Sequence, residues 1–214
     1  MVRVRSIAVL VASSALVLSG CAAGGPGVAA TVGQDSITIK QVDDFASALC
    51  QASGATRATV TASNTALDVL VVTAMSTQFG EAQNATYDTT RLDSELASAQ
   101  SMVTTVAESY RPAFQKIVED YVKGQLMLVD LGSKSLTAKG QQPTDSTSLT
   151  EGSTLMLASG IPVAVDPRFG QWTNGSVKIG SGSLSVPVSA AAVAADNTSA
   201  ASYTADLPFF GTCG

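Results

Sequence analysis

The chain contains no histidine at all. That absence excludes Ser-His-Asp and Cys-His nucleophiles, His-ligated zinc and imidazole acid–base chemistry. Charged residues make up only 14% of the chain and aromatics 5%, and there are three cysteines, Cys21, Cys50 and Cys213. No apolar run approaches the roughly 20 residues of a membrane-spanning helix. The longest, Ile7 to Leu18, is uncharged and about 12 residues long, so a permanent transmembrane segment is a poor reading. Basic residues are also scarce: Lys and Arg number 12 against 17 Asp and Glu, for a net charge of −5.

What is present begins with the order of the first 20 residues. Arg3 and Arg5 precede the apolar run, and Ser19-Gly20 stand immediately before Cys21. These are the n-region, h-region and cleavage site of a leader, residues 1–20, that is removed on export. Cutting before Cys21 removes both arginines and no acid, which moves the net charge from −5 to −7. So acidic a chain is not expected to bind nucleic acid or anionic head groups, both of which demand clustered Lys and Arg.

Residues 21–28 are small and flexible and suit a linker. Ala29 to Val32 reads as a short strand and Gly33 to Ser36 as a turn. Thr38 with Gln41 three residues later forms a capping box, flanked by Ile37 and Val42 as a hydrophobic staple. From there Val42, Phe45, Ala46, Leu49 and Cys50 repeat at helical spacing until Gly54. A second helix is expected over 64–79, stopping at Gly80, with so few polar residues that it belongs in the middle of the helical layer. Leu92, Leu96, Ala99, Val103, Val106 and Tyr110 form a seam spaced by four and three, and Pro112 restarts a helix that runs toward Leu131 and stops at Gly132. Such stripes are first of all core positions rather than ligand sites.

The next stretch, 133–150, is rich in Ser, Thr, Gly and Gln and reads as a surface loop, with a short helix near 154–159. Ile161 to Val165 reads as an edge strand. Residues 173–214 are expected to be an Ala/Ser/Gly-rich tail. The adjacent acids Asp43-Asp44 and Glu119-Asp120 point in different directions on a helix and make a poor catalytic pair. No catalytic residue, cofactor motif or metal-ligand set emerges.

Leu18-Ser19-Gly20-Cys21 resembles the bacterial lipobox. The resemblance implies that Cys21 is alkylated by diacylglycerol and its new amino terminus acylated, giving a cell-membrane lipoprotein on the extracytoplasmic face. The alternative is an ordinary leader with a chance cysteine at its end. In an oxidising compartment Cys50 and Cys213 remain as an even pair suited to a disulfide, against the alternative of two buried thiols.

The order of elements from Ala30-Thr31-Val32-Gly33-Gln34-Asp35-Ser36-Ile37-Thr38 through the helices to Leu131 resembles the SurA-type amino-terminal chaperone domain. Val165-Asp166-Pro167-Arg168-Phe169-Gly170-Gln171-Trp172 looks like the segment with which actinobacterial lipoproteins of this group close that domain. The resemblance spans 29–172 and implies a mainly α fold of four to five helices with a small β element. In that element the strand 29–32 would pair with a returning strand at 162–165. The foldase relatives carry a parvulin prolyl-isomerase domain of about 100 residues between helices and returning strand, and its active site relies on histidines. Neither the space nor the histidines exist here, so isomerase activity is not expected. What the resemblance leaves is a non-catalytic chaperone module for unfolded or exported polypeptides. The alternative is a structural or adaptor lipoprotein with one dedicated envelope partner. Arg168, Phe169 and Trp172 are candidate partner contacts; the competing expectation is that both aromatics cover the helices and Arg168 pairs with a local carboxylate.

Overall fold

The structure is a computed structural model that describes residues 25–54 and 60–178. It is mainly helical with small antiparallel strands. The order is β1 (Val28–Val32), β2 (Asp35–Thr38), α1 (Ile39–Ala52), α2 (Val60–Ala82), α3 (Thr89–Thr105), α4 (Arg111–Ala138), α5 (Asp145–Ala158), β3 (Val163–Val165), β4 (Gln171–Thr173) and β5 (Ser176–Lys178).

β1 pairs antiparallel with both β2 and β3, in the sheet order β2-β1-β3. Ala30, Thr31 and Val32 face Val165, Ala164 and Val163, so the chain returns after five helices to the strand beside which it began. The turn at Gly33 is shorter than its composition suggests. Gly33 takes a φ of 56°, open to glycine at little cost, and Asp35 and Ser36 already belong to β2 rather than to the turn. Gln78 of α2 closes this hairpin down, its Nε2 donating to the Val32 carbonyl and to Asp35 Oδ2, both at 2.8 Å.

The capping box is formed as read. The Gln41 backbone N–H donates to Thr38 Oγ1 at 3.1 Å and the Thr38 N–H to Gln41 Oε1 at 2.8 Å, while Ile37 and Val42 are both buried. Two donors that the first helical turn would leave unpaired are thereby satisfied. α1 ends at Ala52, and Gly54 follows with a φ of 69°.

α2 is the centre of the helical layer, touching α1, α4, α5 and the strands. Ala66, Leu67, Val71 and Met75 are buried, and its interior polar residues Asp68 and Thr73 are both hydrogen-bonded, one locally and one across the fold. Thr73 Oγ1 donates to the Val69 carbonyl at 2.7 Å, and Asp68 Oδ1 accepts the Val177 N–H of β5 at 2.8 Å. Phe45 and Phe114 meet at the heart of the core with ring centroids 5.7 Å apart, within the range of favourable tilted pairs.

Two expected helix ends are overturned, and each has a packing cause. α2 runs on through Gly80 to Ala82, because a Cβ at Gly80 would stand 2.5 Å from Met127 Sδ; the glycine makes room for α4 rather than ending a helix. α4 likewise runs through Gly132 to Ala138, where a Cβ at Gly132 would come within 1.8 Å of the Ser148 carbonyl oxygen. The stretch expected to be a loop, 133–150, holds the end of α4, a short connection and the start of α5, so the helix expected near 154–159 begins earlier, at Asp145. α5 opens with its own capping box, Thr144 with Thr147, in which a threonine takes the place usually held by Glu or Gln. A fourth correction shortens an element. α3 ends at Thr105, and the seam through Val106 and Tyr110 continues in a corner rather than in helix, before α4 opens at Arg111 with Pro112 in its first turn. That placement of proline costs no backbone hydrogen bond.

The expected boundary at 172 cuts through β4. The hairpin of β4 and β5 continues to Lys178, with Trp172 opposite Val177. Asn174 and Gly175 take φ values of 51° and 84°, as an Asn-Gly pair in a tight hairpin turn requires.

Candidate partner-binding surface

The segment 165–172 leaves β3 and folds into a short turn in which Phe169 N–H donates to the Asp166 carbonyl at 2.9 Å. Asp166 organises it. Its Oδ1 accepts the Arg168 backbone N–H at 2.9 Å and Arg168 Nε at 3.0 Å, and its Oδ2 accepts Arg168 Nη2 at 2.7 Å. The two-pronged bond to Arg168 holds the Asp166 carboxyl below the ordinary carboxylate range and raises the guanidinium further. Arg168 is thus folded back on its own turn.

Phe169 and Trp172 are half-buried and pack against the core, beside Val163, Val165 and Val177. Both aromatics therefore lie against the core, while Arg168 is exposed and turned back on Asp166. Cys50 is buried on the inner side of α1. Cys21 and Cys213 lie outside the described residues.

The remaining polar side chains tie elements together. Asp130 accepts the Thr86 N–H at 2.9 Å and an ion pair from Lys134. Burial pushes its carboxyl up, but these two partners outweigh it and hold the pKa below the usual value. Glu151 of α5 accepts from Lys139 and from Ser135 Oγ of α4, and both lower its pKa. Arg111 donates to the Val106 carbonyl and Gln51 Oε1 accepts the Ala107 N–H, which fix the α3–α4 corner from two sides. Asp44 pairs with Lys40, whereas Asp43 is exposed, so the adjacent acids diverge as their helical positions require. Glu119 pairs with Lys123 and Asp120 with Lys116 in the same manner.

Large apolar side chains are exposed at Met102, Tyr121 and Leu157 among the described residues. Sequence marks none of them as exposed, and Tyr121 falls on the apolar face expected to run toward Leu131, because a stripe of apolar spacing does not distinguish its covered members from those at its margin. The Asn174-Gly175 turn, by contrast, carried a readable signal for the hairpin that seats Trp172.

Among the described residues no group of His, Cys, Asp and Glu is placed to hold a metal ion, and no helix is long and apolar enough to cross a membrane. Comparison with protein-family models, with curated proteins and with solved structures finds no match to this chain.

Proposed function

We propose that the chain is a membrane-anchored lipoprotein, held on the extracytoplasmic face by lipid on Cys21, whose domain is a non-catalytic chaperone-like module for unfolded or exported polypeptides. The observation that carries the reading is the closure of the domain by β3 on β1, which is the arrangement the SurA-type resemblance implies, with the helical layer inserted directly between the two strands. The short connection from Ala158 to Val163 leaves no isomerase domain between helices and returning strand. Catalysis plays no part in this reading. Exposed Met102, Tyr121 and Leu157 supply apolar contact to an extended client.

A second reading, an adaptor with one dedicated partner, is favoured by how few large apolar side chains the described surface exposes. A holdase assay separates the two. The fragment from Ala22 onward is expected to suppress aggregation of several unrelated unfolded proteins at stoichiometric amounts. Failure with every client, together with one partner recovered by crosslinking at fixed stoichiometry, would replace the chaperone with the adaptor. An isomerase assay on the same fragment is expected to give no turnover.

The extracytoplasmic assignment carries a further expectation, a disulfide between Cys50 and Cys213. Alkylating the unreduced fragment under denaturing conditions should add no mass, whereas reduction first should add two labels. Two labels without reduction would show free thiols.

A further inference from the structure

α3 is attached by one stripe, Leu92, Leu96, Ala99 and Val103, and the rest of its surface faces solvent. Arg91, Glu95, Ser98 and Met102 follow at spacings of four, three and four, so they lie along one line of the helix. An arginine and a glutamate four apart would ordinarily pair with each other. Here they do not. The Arg91 guanidinium reaches Asp145 at the start of α5, Nη2 to Oδ2 at 3.0 Å and Nη1 to Oδ1 at 3.1 Å. Glu95 is left exposed, two turns from the exposed Met102.

Most cations elsewhere among the described residues are committed too, Lys178 at the end of β5 being the exception. Lys40, Lys116, Lys123, Lys134, Lys139 and Arg168 are each in an ion pair, and Arg111 is bonded to the carbonyls of Val106 and Thr104. A partner approaching α3 therefore meets carboxylate that is free to bind and base that is already engaged.

We propose that the Glu95–Met102 line of α3 is a docking surface for polypeptide segments in which a Lys or Arg stands near an apolar residue, the cation on Glu95 and the apolar group on Met102. Two helical turns span roughly 10.5 Å, which an extended segment covers in about three residues. The proposal rests on the client-binding reading and narrows it to cationic clients. Each exposed contact is weak, as suits a surface that must release what it holds.

The test uses the full chain in detergent and a pair of fluorescent peptides, identical except that Lys three residues from Leu in one is Glu in the other, read by anisotropy. The Lys peptide is expected to bind about threefold tighter or more, the scale of one exposed ion pair, and the difference should shrink at high salt. Glu95→Gln should abolish the preference, and Met102→Ser should weaken both peptides alike. Asp145→Asn leaves the docking residues in place and frees Arg91 to turn to Glu95; it is expected to reduce the preference as Glu95→Gln does. Equal binding of both peptides to the unaltered chain, or a preference that survives Glu95→Gln in a variant of unchanged helicity, overturns the proposal and leaves the chaperone reading standing. No binding of either peptide, in a chain that also fails the holdase assay, removes both.

Discussion

α5 and α3 both lie against α4, and they are held there by opposite means. Between α4 and α5 the side chains are nearly eliminated: Gly132 faces the Ser148 carbonyl, and Gly152 faces the Leu128 carbonyl, where a Cβ would stand 2.0 Å from the oxygen. The backbones themselves touch, and Lys139 and Ser135 then bond across to Glu151. α3 has no such approach. It leans on α4 and α1 through one stripe of side chains, of which only Leu92 and Val103 are fully buried within the helix. Backbone contact fixes a helix in one position, whereas a stripe of side chains tolerates small shifts. The molecule thus combines a locked pair of helices with one loosely seated helix, and the exposed Glu95 and Met102 lie on the latter.

The comparison is broken most severely at the locked pair. Gly132→Ala and Gly152→Ala each drive a methyl group into backbone that has no rotamer to give, so each is expected to cost about 3 kcal/mol or more. The midpoint of urea unfolding reads the loss. Gly140→Ala is the control. It sits at a φ of 71° with open space around it, so only the left-handed backbone is strained, at about 1–2 kcal/mol. A Gly132→Ala variant no less stable than Gly140→Ala would mean that α4 and α5 can separate freely.

On the loose side, Leu92→Ala is expected to cost about 2 kcal/mol, the low end for a leucine truncation, because its surroundings can collapse. Native-state hydrogen exchange sharpens the contrast: the amides of α3 should open at a lower free energy than those of α4 and α5 in the unaltered chain. Equal protection across the three helices would erase the distinction. Thr38→Ala comes next in size. It removes one half of the capping box at the start of α1, for about 1 kcal/mol.

The same contrast explains how much of the fold was legible. Thr38 and Gln41 were readable because a capping box is satisfied within four residues of chain. The β1–β3 pairing came from a resemblance in the order of elements, not from any local pattern. Gly80 and Gly132 misled because glycine ends helices by its φ and joins helices by its lack of Cβ, and only a partner distant in sequence decides between them. Nor could Ser148 and Gly152 advertise a helix, since the small residues that let α5 reach α4 are also those that compose loops. At the candidate surface, Phe169 and Trp172 were visible as aromatics, but whether they cover the core depends on the hairpin at Asn174-Gly175. Glu95 was invisible as a free carboxylate, because its natural partner Arg91 is diverted by Asp145, 54 residues away in sequence.

The smallest expected effect concerns pH, and it acts on the polar tie across the locked pair. Lys139 and Ser135 lower the pKa of Glu151, so the folded state holds this carboxylate ionised more readily than the unfolded chain does. A depressed carboxyl contributes stability that is complete above the unfolded value, about 4.3 for Glu, and that is lost as pH falls through the lower folded value. Glu151→Gln should therefore melt below the unaltered chain at pH 7, and the two curves should converge as pH approaches 3. Glu119, Asp130 and Asp166 are depressed in the same direction, so the unaltered chain itself should lose stability over that acidic window. A constant gap between Glu151→Gln and the unaltered chain from pH 7 to 3 would show that the tie to α4 acts through packing of the side chain rather than through its charge. The difference between α3 and α5 would then rest on the glycine contacts alone.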